Sequence, residues 1–201
     1  PLYHIYAFSL CVGVLPALLG HSVLIPDPRN IPLFVKAIKK SKIQIFCGLN
    51  SLFVALLENK DFRRLDFDQL KMTLSGGMPL MKSVADRWQK VTGCIVSEGY
   101  GMTESSPIIS MNPPGFERIG TAGIPIPGTE IKVIDEAGNE QPVDGVGELC
   151  IRGAQVMAGY WNQPEQTAQT VVEGWLHTGD IVTVDNEGYI TIVDRLKDMI
   201  I

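Results

Sequence analysis

The chain has 201 residues, 45% hydrophobic and 19% charged, with a net charge of −5. That length suits one large domain or two small ones, with a sizeable globular core. Its densest basic group is Lys36, Lys39, Lys40 and Lys42, too few to neutralise a phosphate backbone, which argues against a nucleic-acid partner.

No Asp, Glu, Lys or Arg precedes Asp27. A membrane-spanning helix needs roughly 20 mainly apolar residues, but Pro1, His4, Ser9, Gly13, Pro16, Gly20, His21 and Ser22 interrupt this opening. With no basic flank it is also a poor signal peptide. The better reading is a buried helix over about Ile5–Leu19 and a strand over Ser22–Ile25. The start at Pro1 and the apolar end at Met199-Ile200-Ile201 predict an internal piece of a longer protein.

Helices and strands then alternate. Asn30 is a helix cap, with Pro32 in the first turn and Leu33, Phe34, Ala37 and Ile38 as the apolar face. Ile43–Phe46 reads as a buried strand, and Asn50 as the cap of a helix through Leu57. Lys71–Leu74 is a strand closed by Ser75-Gly76-Gly77. Pro79 opens an amphipathic helix with Leu80, Val84, Ala85, Trp88 and Val91 on one face, followed by strand Cys94–Val96. This alternation predicts a mostly parallel sheet covered on both faces.

Near Pro113-Pro114-Gly115 the pattern changes to short β-rich runs, Glu130–Ile134, Gly147–Arg152, Ile181–Val184 and Tyr189–Val193. Glu136–Asn139 and Asp185–Gly188 read as hairpin turns, and one helix falls over Pro164–Val172. The predicted fold class is therefore α/β: a partial, mostly parallel layered subdomain over residues 1–115, then a β-rich distorted barrel over 116–201. Cys11, Cys47, Cys94 and Cys150 show no CxxC and no linear Cys/His grouping. They predict buried free thiols in a reducing compartment and no zinc.

The chemistry gathers around Ser97-Glu98-Gly99-Tyr100-Gly101-Met102-Thr103-Glu104, directly after the run Cys94–Val96. Tyr100 offers a flat face between two glycines, Thr103 a hydroxyl, and Glu104 a carboxylate suited to a hard cation. In isolation, a Gly-rich turn with a solvated glutamate accounts for the same residues equally well. Ser75-Gly76-Gly77-Met78-Pro79 sits at a strand end, where open α/β sheets bind ligands. His177-Thr178-Gly179-Asp180 puts a carboxylate after a tight turn, suited to accept two ribose hydroxyls; His177 reads as structural. Asp194-Arg195-Leu196-Lys197-Asp198 reads alone as a solvated loop. No nucleophile triad or paired glycosidase carboxylates are present.

Six segments, Ser75–Pro79, Gly99–Glu104, Gly147–Leu149, Gly159–Trp161, His177–Asp180 and Asp194–Asp198, stand in an order and spacing similar to the adenylate-forming superfamily of acyl-CoA synthetases, luciferases and peptide-synthetase adenylation domains. One such segment is weak; six in order are highly specific, and they span essentially the whole chain. Pro1–His4 and Gly153–Trp161 most resemble bacterial long-chain fatty-acid–CoA ligases.

The resemblance implies ATP-dependent, Mg²⁺-assisted activation of a long-chain fatty acid to acyl-AMP and then transfer to coenzyme A. It implies that Tyr100 stacks on adenine while Gly76, Gly77, Met78, Glu98, Gly99 and Gly101 belong to the nucleotide slot. Thr103 would contact phosphate, Glu104 would hold Mg²⁺, Asp180 and Arg195 would bind the ribose, and Lys197 would be a domain hinge. His4 and Phe8 fall near the acyl end. The family's phosphate-gripping loop and its C-terminal adenylation lysine match nothing in this sequence, so the piece alone is expected to be inactive. A cytoplasmic location is implied, with peripheral contact with the inner membrane face and homo-oligomerisation left open. The alternatives are a ligase that passes its acyl group to a carrier protein or another acceptor, and a non-catalytic piece that binds nucleotide or lipid.

Overall fold

A computed structural model of the chain describes residues 4–14, 17 and 20–195. These fall into two compact units, Pro1–Glu98 with Pro114–Gly120, and Gly99–Pro113 with Thr121–Ile201. No helix among the described residues is long and apolar enough to cross a membrane.

The first unit opens with helix α1 (Ile5–Phe8) and a π-helical stretch, Ser9–Val14. Helix α2 (Ile31–Ser41), strand β1 (Ile45–Gly48), helix α3 (Asn50–Glu58), strand β2 (Met72–Gly76) and helix α4 (Lys82–Thr92) follow. Strand β3 (Val96–Tyr100) lies next to β2 and carries the chain into the second unit. β1 and β2 pair in parallel, with Ile45 opposite Met72 and Gly48 opposite Ser75. The alternating pattern thus produced the parallel pairing it predicts.

The core of this unit is aromatic. Trp88 is 1% exposed and packs 4.7 Å from Phe53, 5.0 Å from Phe46 and 5.3 Å from Phe62, centroid to centroid. Its indole N–H is satisfied by Thr73 Oγ1 at 3.0 Å, as a buried indole requires. Val84, Ala85 and Trp88 are the buried part of the predicted face of α4, and Leu80, just before the helix, is buried in the same core.

Four expectations need correction here. Ser22–Ile25 forms no strand, and none of the described residues between His4 and Ile25 is fully buried. Apolar composition predicts a preference for burial, but only a partner surface delivers it. In α2, Leu33 is 56% exposed while Val35 is buried, so the buried face runs through Phe34, Val35 and Ile38; the Asn30 cap forms as predicted, its Oδ1 accepting from Leu33 N–H at 3.2 Å. Asn50 is the first residue of α3, not its cap; its Oδ1 instead accepts the Met81 N–H at 3.1 Å. Finally, α4 begins at Lys82, so the Gly76-Gly77 turn does not run straight into a helix at Pro79.

The second unit continues from the end of β3, where Gly99 and Tyr100 pair antiparallel with β4 (Ser110–Met111), which pairs in turn with β5 (Ile124–Pro125). A separate antiparallel sheet has the order β10-β9-β7-β6. It comprises β6 (Glu130–Ile134), β7 (Gly147–Arg152), β9 (Trp175–Val184) and β10 (Ile190–Arg195). Between β7 and β9 lie helix α5 (Pro164–Thr170) and the short strand β8 (Val171–Val172), which pairs with β9.

Sheet-face alternation places Leu149, Ile151, Leu176, Val182 and Ile190 in one core, all 0% exposed. The two predicted turns are anchored alike. Asp135 Oδ1 accepts from Ala137 and Asn139 N–H, and Asp185 Oδ1 from Glu187 and Tyr189 N–H. Side-chain oxygens here satisfy backbone donors that the turn leaves over.

Candidate active site

In the second unit the sequence-predicted residues converge on two carboxylates. Asp180, 4% exposed, sits on β9 directly opposite Arg195 on β10. Arg195 Nε donates to Asp180 Oδ1 at 2.9 Å, and the Tyr100 hydroxyl donates to Oδ2 at 2.5 Å. Burial, then the neighbouring Asp180 charge, pushes the Tyr100 pKa well above the usual phenol range, so the phenol keeps its proton and serves as donor. A carboxylate has about four lone-pair sites, so Asp180 keeps acceptor capacity for a pair of hydroxyls.

A bulge in β9 presents Asp180. Glu148 pairs with Ile181 and Cys150 with His177, so two steps on β7 match four on β9. The two surplus residues fall within Thr178-Gly179-Asp180, a bulge inside β9 where Gly179 takes φ +72°, a conformation that favours glycine. Thr178 Oγ1 donates to the Leu149 carbonyl at 2.7 Å and accepts from Asp180 N–H at 3.2 Å. Glu148 Oε1 accepts from Gly179 N–H at 2.9 Å, while its Oε2 meets His177 Nδ1 at 2.9 Å. His177 takes no part in the Asp180 contacts; Glu148 is the anchor of this bulge that sequence reasoning left without a role.

The second carboxylate is Glu104, half-buried in the middle of the 3₁₀ turn Thr103–Ser105. Tyr160 donates its hydroxyl to Glu104 Oε1 at 2.7 Å, and the Glu104 carbonyl accepts from Met157 N–H at 2.8 Å. Burial and the Glu104 charge raise the Tyr160 pKa, keeping it a donor. Glu104 Oε2 has no hydrogen-bond partner among the described residues. One fixed and one open carboxylate oxygen fit a hard, oxygen-seeking cation such as Mg²⁺. Tyr160 had been only a marker within Gly159-Tyr160-Trp161; its 56-residue separation from Glu104 hid the contact. Thr103 is exposed. Gly101 has a packing reason as well, since a Cβ there would fall 1.8 Å from the Pro107 carbonyl oxygen.

The first unit holds the other predicted residues. Gly76 is buried, Met78 is 61% exposed, and both line a mainly apolar cavity of about 700 Å³ with Gly77, His4, Tyr6 and Leu52. Ligand sites typically run about 300–1,000 Å³. Burial pushes the Cys47 thiol in this wall up to about 12 and raises Tyr6 further, so both are neutral near pH 7. Phe8 is 52% exposed and is not on the cavity wall. Glu98 Oε2 accepts from Gly120 N–H at 2.8 Å and Oε1 from Leu80 N–H at 3.4 Å. Lys197, the expected hinge, lies outside the described residues.

Residues 1–161 match the family described as AMP-binding enzyme, and the chain belongs to that family. Among curated proteins it is 47% identical, over its whole length, to a long-chain-fatty-acid–CoA ligase of Escherichia coli O6:H1 and 44% identical to one of Haemophilus influenzae. The chain spans 36% of the length of each. Among solved structures, ATP-bound MatB from Rhodopseudomonas palustris matches with a TM-score of 0.89 at 29% identity, covering 100% of this chain and 40% of that one. A benzoate CoA ligase from Burkholderia xenovorans gives 0.90 at 25% identity, covering 99% of this chain and 41% of that one.

Proposed function

We propose that the protein to which this chain belongs activates a long-chain fatty acid with ATP and passes it to coenzyme A. The observation that carries this reading is Asp180 held between Tyr100 and Arg195, in a family member 47% identical to a long-chain-fatty-acid–CoA ligase. In the first step a fatty carboxylate oxygen attacks the α-phosphorus of ATP; the bond to pyrophosphate breaks and acyl-AMP forms. In the second, the coenzyme A sulfur attacks the acyl carbonyl, its proton goes to solvent, and AMP leaves. Adenylation makes a good leaving group from a poor one.

Each residue has a role in this scheme. Asp180 accepts the ribose hydroxyls, Arg195 and the Tyr100 hydroxyl fix its orientation, and the Tyr100 ring offers the adenine a face. Gly76, Gly77, Met78, Glu98 and Gly99 belong to the same nucleotide by resemblance. Thr103 donates to phosphate, and Glu104, oriented by Tyr160, holds Mg²⁺. The bound ion offsets phosphate charge. The apolar first-unit cavity suits a hydrocarbon chain, with His4 on its wall; Lys197 is the hinge. The parent protein is placed in the cytoplasm, with peripheral contact with the inner membrane face for a lipid substrate.

The test is AMP release by the full-length protein across a chain-length series of fatty acids, with and without coenzyme A. Release that rises with chain length and requires the thiol supports the proposal. Equal release with a carrier protein in place of coenzyme A would move the acceptor, and no pyrophosphate exchange with any carboxylic acid would remove the enzymatic reading.

A further inference from the structure

One cluster in the second unit is used by neither the nucleotide scheme nor the acyl cavity. Strand alternation puts Glu148 and Cys150 on the same face of β7, and the β7–β9 register sets His177 directly across from Cys150. His177 Nδ1 lies 3.6 Å from Cys150 Sγ and 2.9 Å from Glu148 Oε2. The three donor atoms all lie within 4.8 Å of one another. A tetrahedral zinc ion with bonds of about 2.0–2.3 Å separates its ligand atoms by roughly 3.3–3.8 Å. The cluster therefore needs only a small spreading of one contact and tightening of another.

We propose that Glu148, Cys150 and His177 form a tridentate site for a borderline-soft divalent cation of the zinc type. Thiolate, imidazole and carboxylate together select such an ion over Mg²⁺ or Ca²⁺, which take oxygen donors. On binding, the Cys150 S–H proton leaves to solvent as the sulfur–metal bond forms. The His177 proton moves to Nε2, which frees Nδ1 for the metal. The surroundings fit a ligand shell. Gly179 N–H already orients Glu148 through Oε1, leaving Oε2 to coordinate, the kind of supporting contact that metal sites use. Burial and the Glu148 charge push the Cys150 thiol up to about 12, and Lys132, its cross-strand partner on β6, offsets only part of this, so the thiol gives up its proton only to a bound metal. Water would complete the fourth position. Because Glu148 and His177 flank the bulge that presents Asp180, the ion would tie the base of that turn. The proposal does not depend on the substrate assigned above.

The test uses the full-length protein stripped with a chelator, with Zn²⁺ and Co²⁺ as probes. Competition against a chromophoric chelator should reveal a zinc equivalent that C150S loses and that E148Q and H177Q bind at least about tenfold more weakly. Glu148→Gln keeps the shape and the contact with Gly179, so it covers the case in which C150S folds poorly. Co²⁺ should give a thiolate-to-metal absorption band in wild type that disappears in C150S and persists in C94S. Zn²⁺ should also raise the melting temperature of wild type more than that of E148Q. A wild-type protein with no thiolate–cobalt band, or a zinc affinity untouched by both E148Q and H177Q, would overturn the site and leave a His–Glu pair beside a buried thiol.

Discussion

Tyr100 and Asp180, 80 positions apart in the chain, are joined by a hydrogen bond from the phenol to Oδ2 at 2.5 Å. This ties a residue that the resemblance gives to the adenine to one that it gives to the ribose. Tyr100→Phe separates the two roles, because it keeps the ring and removes the hydroxyl. A hydrogen bond to a charged group contributes about 1.5–3 kcal/mol, so AMP affinity of the full-length protein should fall roughly ten- to hundredfold. Calorimetric titration checks this; unchanged affinity in Tyr100→Phe, with loss only in Tyr100→Ala, would leave the ring as the only contributor.

Asp180→Ala should weaken ATP and acyl-AMP together, because both carry the ribose. The substitution also strands the Tyr100 hydroxyl and frees Arg195, whose side chain is already 68% exposed. Arg195→Ala should therefore cost less than Asp180→Ala, as the buried partner carries the site. Parallel titrations with ATP and with fatty acid decide it: a change confined to fatty-acid affinity would move Asp180 to the acyl site.

Glu104→Gln retains an oxygen for Tyr160 but removes the charge aimed at the metal. Loss of one preorganised electrostatic group typically lowers rate by about 10²–10³. Pyrophosphate exchange should drop by that order at fixed Mg²⁺. Tyr160→Phe leaves the charge and loosens its aim, so a smaller loss is expected, relieved in part by raising the Mg²⁺ concentration. Wild-type exchange in Glu104→Gln would remove the carboxylate from the metal site.

Glu98 gives a pH dependence of stability. Burial raises its pKa above the ordinary value of 4.5, and the N–H bonds from Gly120 and Leu80 offset only part of this. Between the unfolded and folded values the native state holds more protons than the unfolded chain, so stability falls as pH rises through that window. Urea midpoints measured from pH 4.5 upward should decline less in Glu98→Gln than in wild type. An identical decline in both would locate the effect elsewhere.

Ser75 has a buried hydroxyl with no hydrogen-bond partner among the described residues. An unsatisfied buried polar group costs about 1–3 kcal/mol, so Ser75→Ala should raise unfolding free energy by roughly that amount. Should stability instead stay level while AMP or fatty-acid affinity falls, the hydroxyl is reserved for a ligand.

Local chemistry was legible in the sequence. β6 and β7 ran over the very spans their alternation marks, and the aspartate turns formed where Asp135 and Asp185 stand. Each depends on residues within a few positions of one another, so a pattern in the chain states it directly. The candidate residues were nominated in the same way, from six short segments in their order along the chain. What no local pattern states is who meets whom across tens of residues. Cys150 opposite His177 follows from the β7–β9 register, while Tyr160 on Glu104 joins a loop to a 3₁₀ turn and Tyr100 on Asp180 joins strands of two different sheets. Register is decided by the pairing of whole strands over a shared core, and a shift of one residue would turn Cys150 to the other face, away from His177; loop contacts are decided by how the packed strands hold the loops. The burial expected of the charge-free opening failed for the same reason, since apolar residues carry the tendency to be covered but not the surface that covers them.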